Sequence, residues 1–257
     1  MSIFEKIGAE AADSATKDNG SGGSSIFTFN SGMTVKVRVK SPTDVAMYYG
    51  YSMFNPRVNT FVPQKSATRN AKGFITSGHT PWDRASDYYY ALAKEAKEKG
   101  DQAKAEEYSK LGYNFKGKRR YLVGFGHLET GEDIAIDFTQ NQYNVVKAAI
   151  DKYAKKLDKV AFELTKTGSS TNTVVSLSPI LDMDEDLTEA ERANFAKCGE
   201  KPFDFALFED CLYVADETEQ IKNLVVAGFD IGLLGLTLGA GAPSSGGEIT
   251  DEDLPQF

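Results

Sequence analysis

Cysteine is scarce in this chain: Cys198 and Cys211 are the only two among 257 residues. Two cysteines are too few for a disulfide framework, so a packed core must hold the fold, and both read as reduced thiols of a cytoplasmic protein. Histidine is equally rare, with only His79 and His127. These four residues show no CxxC or HxxxH spacing, so no zinc site is expected. The chain also has no GxSxG, no Walker lysine loop and no HExxH. That removes the common signatures of serine hydrolases, nucleotide hydrolases and zinc proteases, and we expect no catalytic residue, no cofactor and no enzyme activity. The opening MSIFEKIGAEAADS has neither a basic n-region nor an apolar h-region, so no secretion signal is expected. One long apolar run exists, LVVAGFDIGLLGLTLGAGA at 224–242, with a GxxxG at Gly228 and Gly232. Asp230 near its middle and acids at its flanks argue against a membrane span and for buried strand and loop.

What the chain has is charge, unevenly spread. The net charge of -8 conceals a basic middle: residues 36–166 hold 23 Lys+Arg against 15 Asp+Glu. Residues 167–257 hold 4 against 18, and residues 1–35 hold 2 against 4. A basic body joined to an acidic C-terminal third is a pattern of interaction with polyanions or with basic partners. The acids DMDED at 182–186 can be read as Mg²⁺ ligands, but at a helix entry they favour the helix dipole, which is the preferred reading.

Hydrophobic periodicity divides the chain. Residues 2–16 place Ile3, Phe4, Ile7 and Ala11 on one face of a short helix, followed by the linker DNGSGGSS at 18–25. From Ile26 the period becomes two. In MTVKVRVK, Val35, Val37 and Val39 alternate with Lys36, Arg38 and Lys40, as in a half-buried strand with a cationic exposed face. MYYGYSMF (47–54), KRRYLVGFGHL (118–128), IAIDF (134–138), VAFELTKTG and NTVVSLSPI add strands. Residues 63–117 form a mostly helical excursion, broken at Gly100. QNQYNVVKAAIDKYAKKL is an amphipathic helix with Tyr143, Val146, Ile150 and Tyr153 on its apolar face. Thr188 caps an acidic helix, and another helix lies near DETEQIKNLVV. The expected fold is mainly β with helical insertions (α+β), an OB-type antiparallel barrel. Its parts are an N-terminal arm and linker (1–25), a core (26–180) carrying the excursion, an acidic helical part packed on the core (181–238), and a linker with an acidic tail (239–257).

The chemistry expected of the basic body follows from aromatics interleaved with cations. Single-stranded nucleic acid needs cations that replace counterions along its phosphates and rings that stack on unpaired bases. Lys36, Arg38, Lys40, Arg57, Lys118, Arg119 and Arg120 are the candidate phosphate contacts. Tyr48, Tyr49, Tyr51, Phe54, Trp82, Tyr121 and Phe125 are the candidate stacking rings, although strand alternation must turn about half of them into the core. Trp82 with Tyr88, Tyr89 and Tyr90 is either a stacking platform near Arg84 or the anchor of the excursion.

With TVKVRVKSP, GHTPWDRASDYYY, KGKRRYLVGFGHLETGEDIAIDFTQNQYNVVKAAI and the ending DEDLPQF in view, the chain resembles the single-stranded-DNA-binding proteins of large tailed phages. The resemblance implies an OB-fold core, no enzymatic activity, and a role in coating and protecting single strands during phage DNA replication, recombination and repair. It also implies host-cytoplasmic location and recruitment of replication partners through the tail residues Asp251, Glu252, Asp253, Leu254, Pro255 and Phe257. Three features depart from that pattern: Gln256 separates Pro255 from Phe257, no cysteine accompanies His79 to hold a metal, and residues 1–17 are net acidic. The alternative is an RNA-binding or RNA-chaperoning OB protein, since a 2′-hydroxyl is read by placed polar groups that periodicity does not locate. No membrane partner is expected, and the oligomeric state is left open, a monomer included. A linker of nine residues and the tail together reach about 20 Å, enough for the tail to compete with a strand for the same basic groove.

Overall fold

The computed structural model describes residues 26–169 and 172–238, together with the backbone of Lys6–Ile7. The fold is mixed α+β, with one large, mostly antiparallel sheet and seven helices among the described residues. The strands are β1 (Lys6–Ile7), β2 (Thr34–Arg38), β3 (Val45–Met53), β4 (Val58–Pro63), β5 (Thr68–Arg69), β6 (Ile75–Ser77), β7 (Lys118–His127), β8 (Asp133–Thr139), β9 (Ala161–Thr167), β10 (Val174–Ile180) and β11 (Val214–Ala215). The helices, in chain order, are α1 (Pro81–Glu98), α2 (Gln102–Phe115), α3 (Gln140–Tyr153), α4 (Met183–Asp186), α5 (Glu189–Cys198), α6 (Ala206–Asp210) and α7 (Glu217–Val226). The main sheet runs β10-β9-β2-β7-β3-β4-β11, with β1 on β3 and β8 on β7, while β5 and β6 form a separate hairpin. The order has two ends, so the expected closure into a barrel is not found among the described residues.

The chain divides into two compact units. The first holds, among the described residues, those up to Tyr49 and those from Arg119 to Leu212. Within it Val35, Val37 and Val39 point into a core with Tyr121, Val123, Phe125, Phe138 and Phe162. Helix α3 adds Tyr143, Val146 and Ile150 to that core, as its period predicts, and Tyr143 stacks on Tyr121 at 4.3 Å. Its start is a reciprocal cap: the Thr139 hydroxyl accepts from the Gln142 amide, and the Gln142 side chain accepts from the Thr139 amide. Strand β7 carries β8 along one edge, from Arg120 to Gly126, and meets β2 at Gly126 and His127.

The second unit holds Gly50–Lys118 and, among the described residues, Tyr213 onward to Leu238. Helices α1 and α2 pack as a hairpin, separated at Gly100, whose φ of +79° suits glycine. Trp82, Phe61, Tyr51 and Phe115 form its core with Ile221, Leu224 and Phe229.

Two local expectations differ from what is found. Lys6–Ile7 pair with β3 as a strand, where the short N-terminal helix was expected. The apolar run from residue 224 ends α7 and then forms a 3₁₀ turn, Ile231–Leu234, rather than a strand. Asp230 explains the turn, because its carboxylate accepts from the Gly232 amide. No helix among the described residues is long and apolar enough to cross a membrane.

Candidate nucleic-acid interface

The cationic face expected on β2 is covered. Lys36 Nζ donates to the Asp186 carbonyl at 2.9 Å and to Glu191 Oε2 at 3.1 Å. Arg38 donates to the Phe195 carbonyl at 2.7 Å and lies 4.3 Å over the Phe195 ring. Lys40 is paired with Asp133 at 2.7 Å and is nearly buried. The valine alternation placed the cations on one side correctly, but the acidic segment α4–α5 occupies that side instead of solvent. Desolvation lowers the Arg38 pKa, an effect opposed by the nearby Cys198 and Asp158.

The stacking candidates divide in the same way. Tyr48, Tyr51, Trp82, Tyr121 and Phe125 are all buried and cannot stack on a ligand. Trp82 is the anchor of its unit: Nε1 donates to the Gln220 carbonyl at 3.0 Å, and its ring packs at 5.3 Å from Phe61. Arg120 is buried with Asp137, Nε lying 2.8 Å from Oδ2. Burial raises the Asp137 pKa, and the adjacent guanidinium opposes that rise. Tyr48 lies beside this pair, and its hydroxyl is held well above its ordinary pKa, chiefly by burial and then by Asp137. Tyr49 is half-buried, its hydroxyl accepting from Arg119 at 3.1 Å. Lys118 sits 4.7 Å over the Tyr113 ring.

Phe54 and Arg57 remain, and the structure places them together. They stand between β3 and β4, where Met53 is opposite Val58. Phe54 is 96% exposed and Arg57 is exposed, its Nε donating to Asn59 Oδ1 at 3.3 Å. The same unit carries a second hairpin, β5–β6, with Phe74 67% exposed near its turn and Lys72 exposed two residues before. That turn is tightly bonded. Asn70 Oδ1 accepts from the amides of Lys72 and Phe74 at 3.0 and 3.1 Å, and Gly73 has a φ of +84°. Arg69 ties the hairpin to the body of the unit. Its guanidinium donates to the Gly73 carbonyl at 3.3 Å and to the Tyr51 hydroxyl at 3.1 Å, and it lies 3.4 Å from Asp83 Oδ1. Tyr51 in turn donates to Asp83 at 2.9 Å, and Asp83 completes the α1 cap with Thr80.

Phe74, Lys72, Arg69 and Lys65 were not singled out from sequence, yet a signal for them existed. Between Asp44 and Asp83 no acidic residue occurs, while Arg57, Lys65, Arg69 and Lys72 do. Arg57, Lys65 and Lys72 form no salt bridge with a described carboxylate, which leaves their charge available to a polyanion. The acidic tail residues 251–255 and 257 lie outside the described residues. No group of His, Cys, Asp or Glu among the described residues is placed to hold a metal. No protein-family model, curated protein or solved structure matches this chain.

Proposed function

We propose that this protein is a non-enzymatic, sequence-independent single-stranded-DNA-binding protein that coats and protects displaced strands. The observation that carries the reading is the pair of exposed phenylalanines, Phe54 and Phe74. Each stands on a hairpin of one unit, within a stretch that has four cations and no acid. Exposed apolar rings in one stretch with Arg57, Lys65 and Lys72, none of which forms a salt bridge with a described carboxylate, match the two needs of an unpaired strand, stacking and phosphate neutralisation. Bases within a duplex are already stacked, so the rings favour unpaired nucleic acid.

The resemblance to phage single-strand-binding proteins belongs to the same proposal, with a role in replication, recombination and repair in a host cytoplasm. So does recruitment of partner proteins through the acidic C-terminal segment. The OB-type relation belongs to the resemblance, and the sheet found among the described residues is open.

Binding of labelled oligo-dT, followed by anisotropy at two salt concentrations, tests the reading. Affinity should fall steeply as salt rises. Phe54→Ala and Phe74→Ala should each cost about 1–3 kcal/mol of binding and leave thermal stability nearly unchanged, because both rings are exposed. Binding that ignores salt and both substitutions would refute it. An RNA oligomer of equal length, used as competitor, decides between the two sugars.

A further inference from the structure

We propose that Arg69 is a positioning residue for strand binding: its guanidinium, buried against Asp83 and Tyr51, fixes the β5–β6 hairpin so that the Phe74 ring is already held where it stacks. The inference rests on the single-strand-binding reading and adds to it the device that places one of the two rings.

An arginine in an acid-free stretch with Lys65 and Lys72 would ordinarily be assigned to phosphate. Its surroundings argue otherwise. The Arg69 side chain is 4% exposed and that of Asp83 2% exposed, with 3.4 Å between Nη2 and Oδ1. Nη2 also donates to the Tyr51 hydroxyl at 3.1 Å, and that hydroxyl donates to Asp83 at 2.9 Å. Burial, and then Asp83, hold the Tyr51 phenol well above its ordinary pKa, so it keeps the proton it donates. Three elements of the second unit meet in this triad: β5 through Arg69, β3 through Tyr51 and α1 through Asp83. A buried ion pair adds little net stability, and its effect here is to fix one arrangement.

The other end of the guanidinium acts on the ring's own turn. Nη1 donates to the carbonyl of Gly73, the residue before Phe74, and Arg69 stands opposite Ile75, the residue after it. Asn70 closes the turn from within. Its side chain accepts from the Phe74 amide at 3.1 Å, and its own amide donates to the Phe74 carbonyl at 2.9 Å. The Phe74 backbone is thus pinned on both sides while its ring is 67% exposed. Among the described residues β5 and β6 form a sheet of their own, so no ladder to the main sheet sets the tilt of this hairpin. Arg69 supplies that restraint. A ring held in place before the strand arrives loses less freedom on stacking, which raises affinity without any contact between Arg69 and the strand.

The test is a double-mutant cycle on oligo-dT binding, with thermal melts to show that each variant is folded. Arg69→Lys keeps a positive charge beside Asp83, but an ammonium lacks the fork that reaches Gly73 and Tyr51 together. It should weaken binding about fivefold, the low end of what a lost stacking contact costs. In the Phe74→Ala background it should have no further effect, because both substitutions then act through one ring. Tyr51→Phe removes the hydroxyl bonded to Arg69 and changes no charge; it should behave in the same way, and it carries the test if Arg69→Lys fails to fold. Parent-like binding by both Arg69→Lys and Tyr51→Phe overturns the positioning role. So does a loss that persists undiminished in the Phe74→Ala background, or parent-like binding by Phe74→Ala itself. If Phe74→Ala alone loses affinity while the Arg69 and Tyr51 variants do not, the general reading stands without this device. A parent that binds no oligo-dT overturns both.

Discussion

Asp44, in the loop between β2 and β3, is buried, and its Oδ2 has no hydrogen-bond partner among the described residues. Burial raises its pKa to about 6, against a smaller lowering by the Ser41 backbone and Lys40. The folded state therefore holds the proton more tightly than the unfolded chain, whose carboxyl has the ordinary value of 3.8. This group's contribution to stability is fully present below the unfolded value, and it is lost as pH rises through about 6. Asp44→Asn should thus be more stable than the parent at neutral pH, with the difference shrinking as pH falls from about 6 toward 4; denaturant unfolding at several pH values measures it. A difference independent of pH would contradict the assigned cause. Other carboxylates act in the opposite sense. Glu191 has a lowered pKa, its burial being outweighed by the Thr188 backbone and Lys36, so its contribution is lost as pH falls. Neither residue's environment could be read from sequence, because desolvation depends on which segments cover it.

At the scale of elements, the signals of α3 and α5 were local and therefore legible, whereas the helix expected at the N-terminus gave way to pairing of Lys6–Ile7 with β3. Thr188 caps α5 as expected, with Glu191 completing the reciprocal pair. The apolar stripe of α3 meets the core through the residues its period named. The cover over β2 was not legible, because it depends on contacts between residues more than a hundred positions apart. Its fit is close. A Cβ at Gly126 of β7 would lie 2.5 Å from Cys198 Cβ, and one at Gly124 would lie 2.5 Å from the Phe203 ring. The glycines of YLVGFGHL thus admit the acidic segment against the sheet, as fixed packing. Gly126→Ala should destabilise the protein by about 1–3 kcal/mol through overpacking, read as a lower denaturant midpoint. A neutral outcome would mean that α5 rests only loosely on β7. The same contact engages two of the expected phosphate ligands: Lys36 holds Glu191, and Arg38 holds the C-terminal end of α5.

For the whole molecule, charge is the quantity that matters. Removing residues 248–257 takes away Glu248, Asp251, Glu252 and Asp253 and changes the net charge from -8 to -4. If the tail competes with DNA for the cations, its deletion should tighten oligo-dT binding at low salt, with little gain at high salt, where charges are screened. Equal affinity of the two forms at low salt would remove the competition and leave the hairpins unaffected.

The chain by itself determined most of the periodic elements, the capping residues, and the contrast between basic middle and acidic end. These depend on neighbours a few positions away or on composition. Only the tertiary structure decided which rings and cations reach solvent. A strand's alternation tells that two faces differ, and burial on each face is settled by what packs there. On β2 an acidic segment took the cationic face, whereas Phe54 and Phe74, on hairpin turns outside the regular strands, remained exposed.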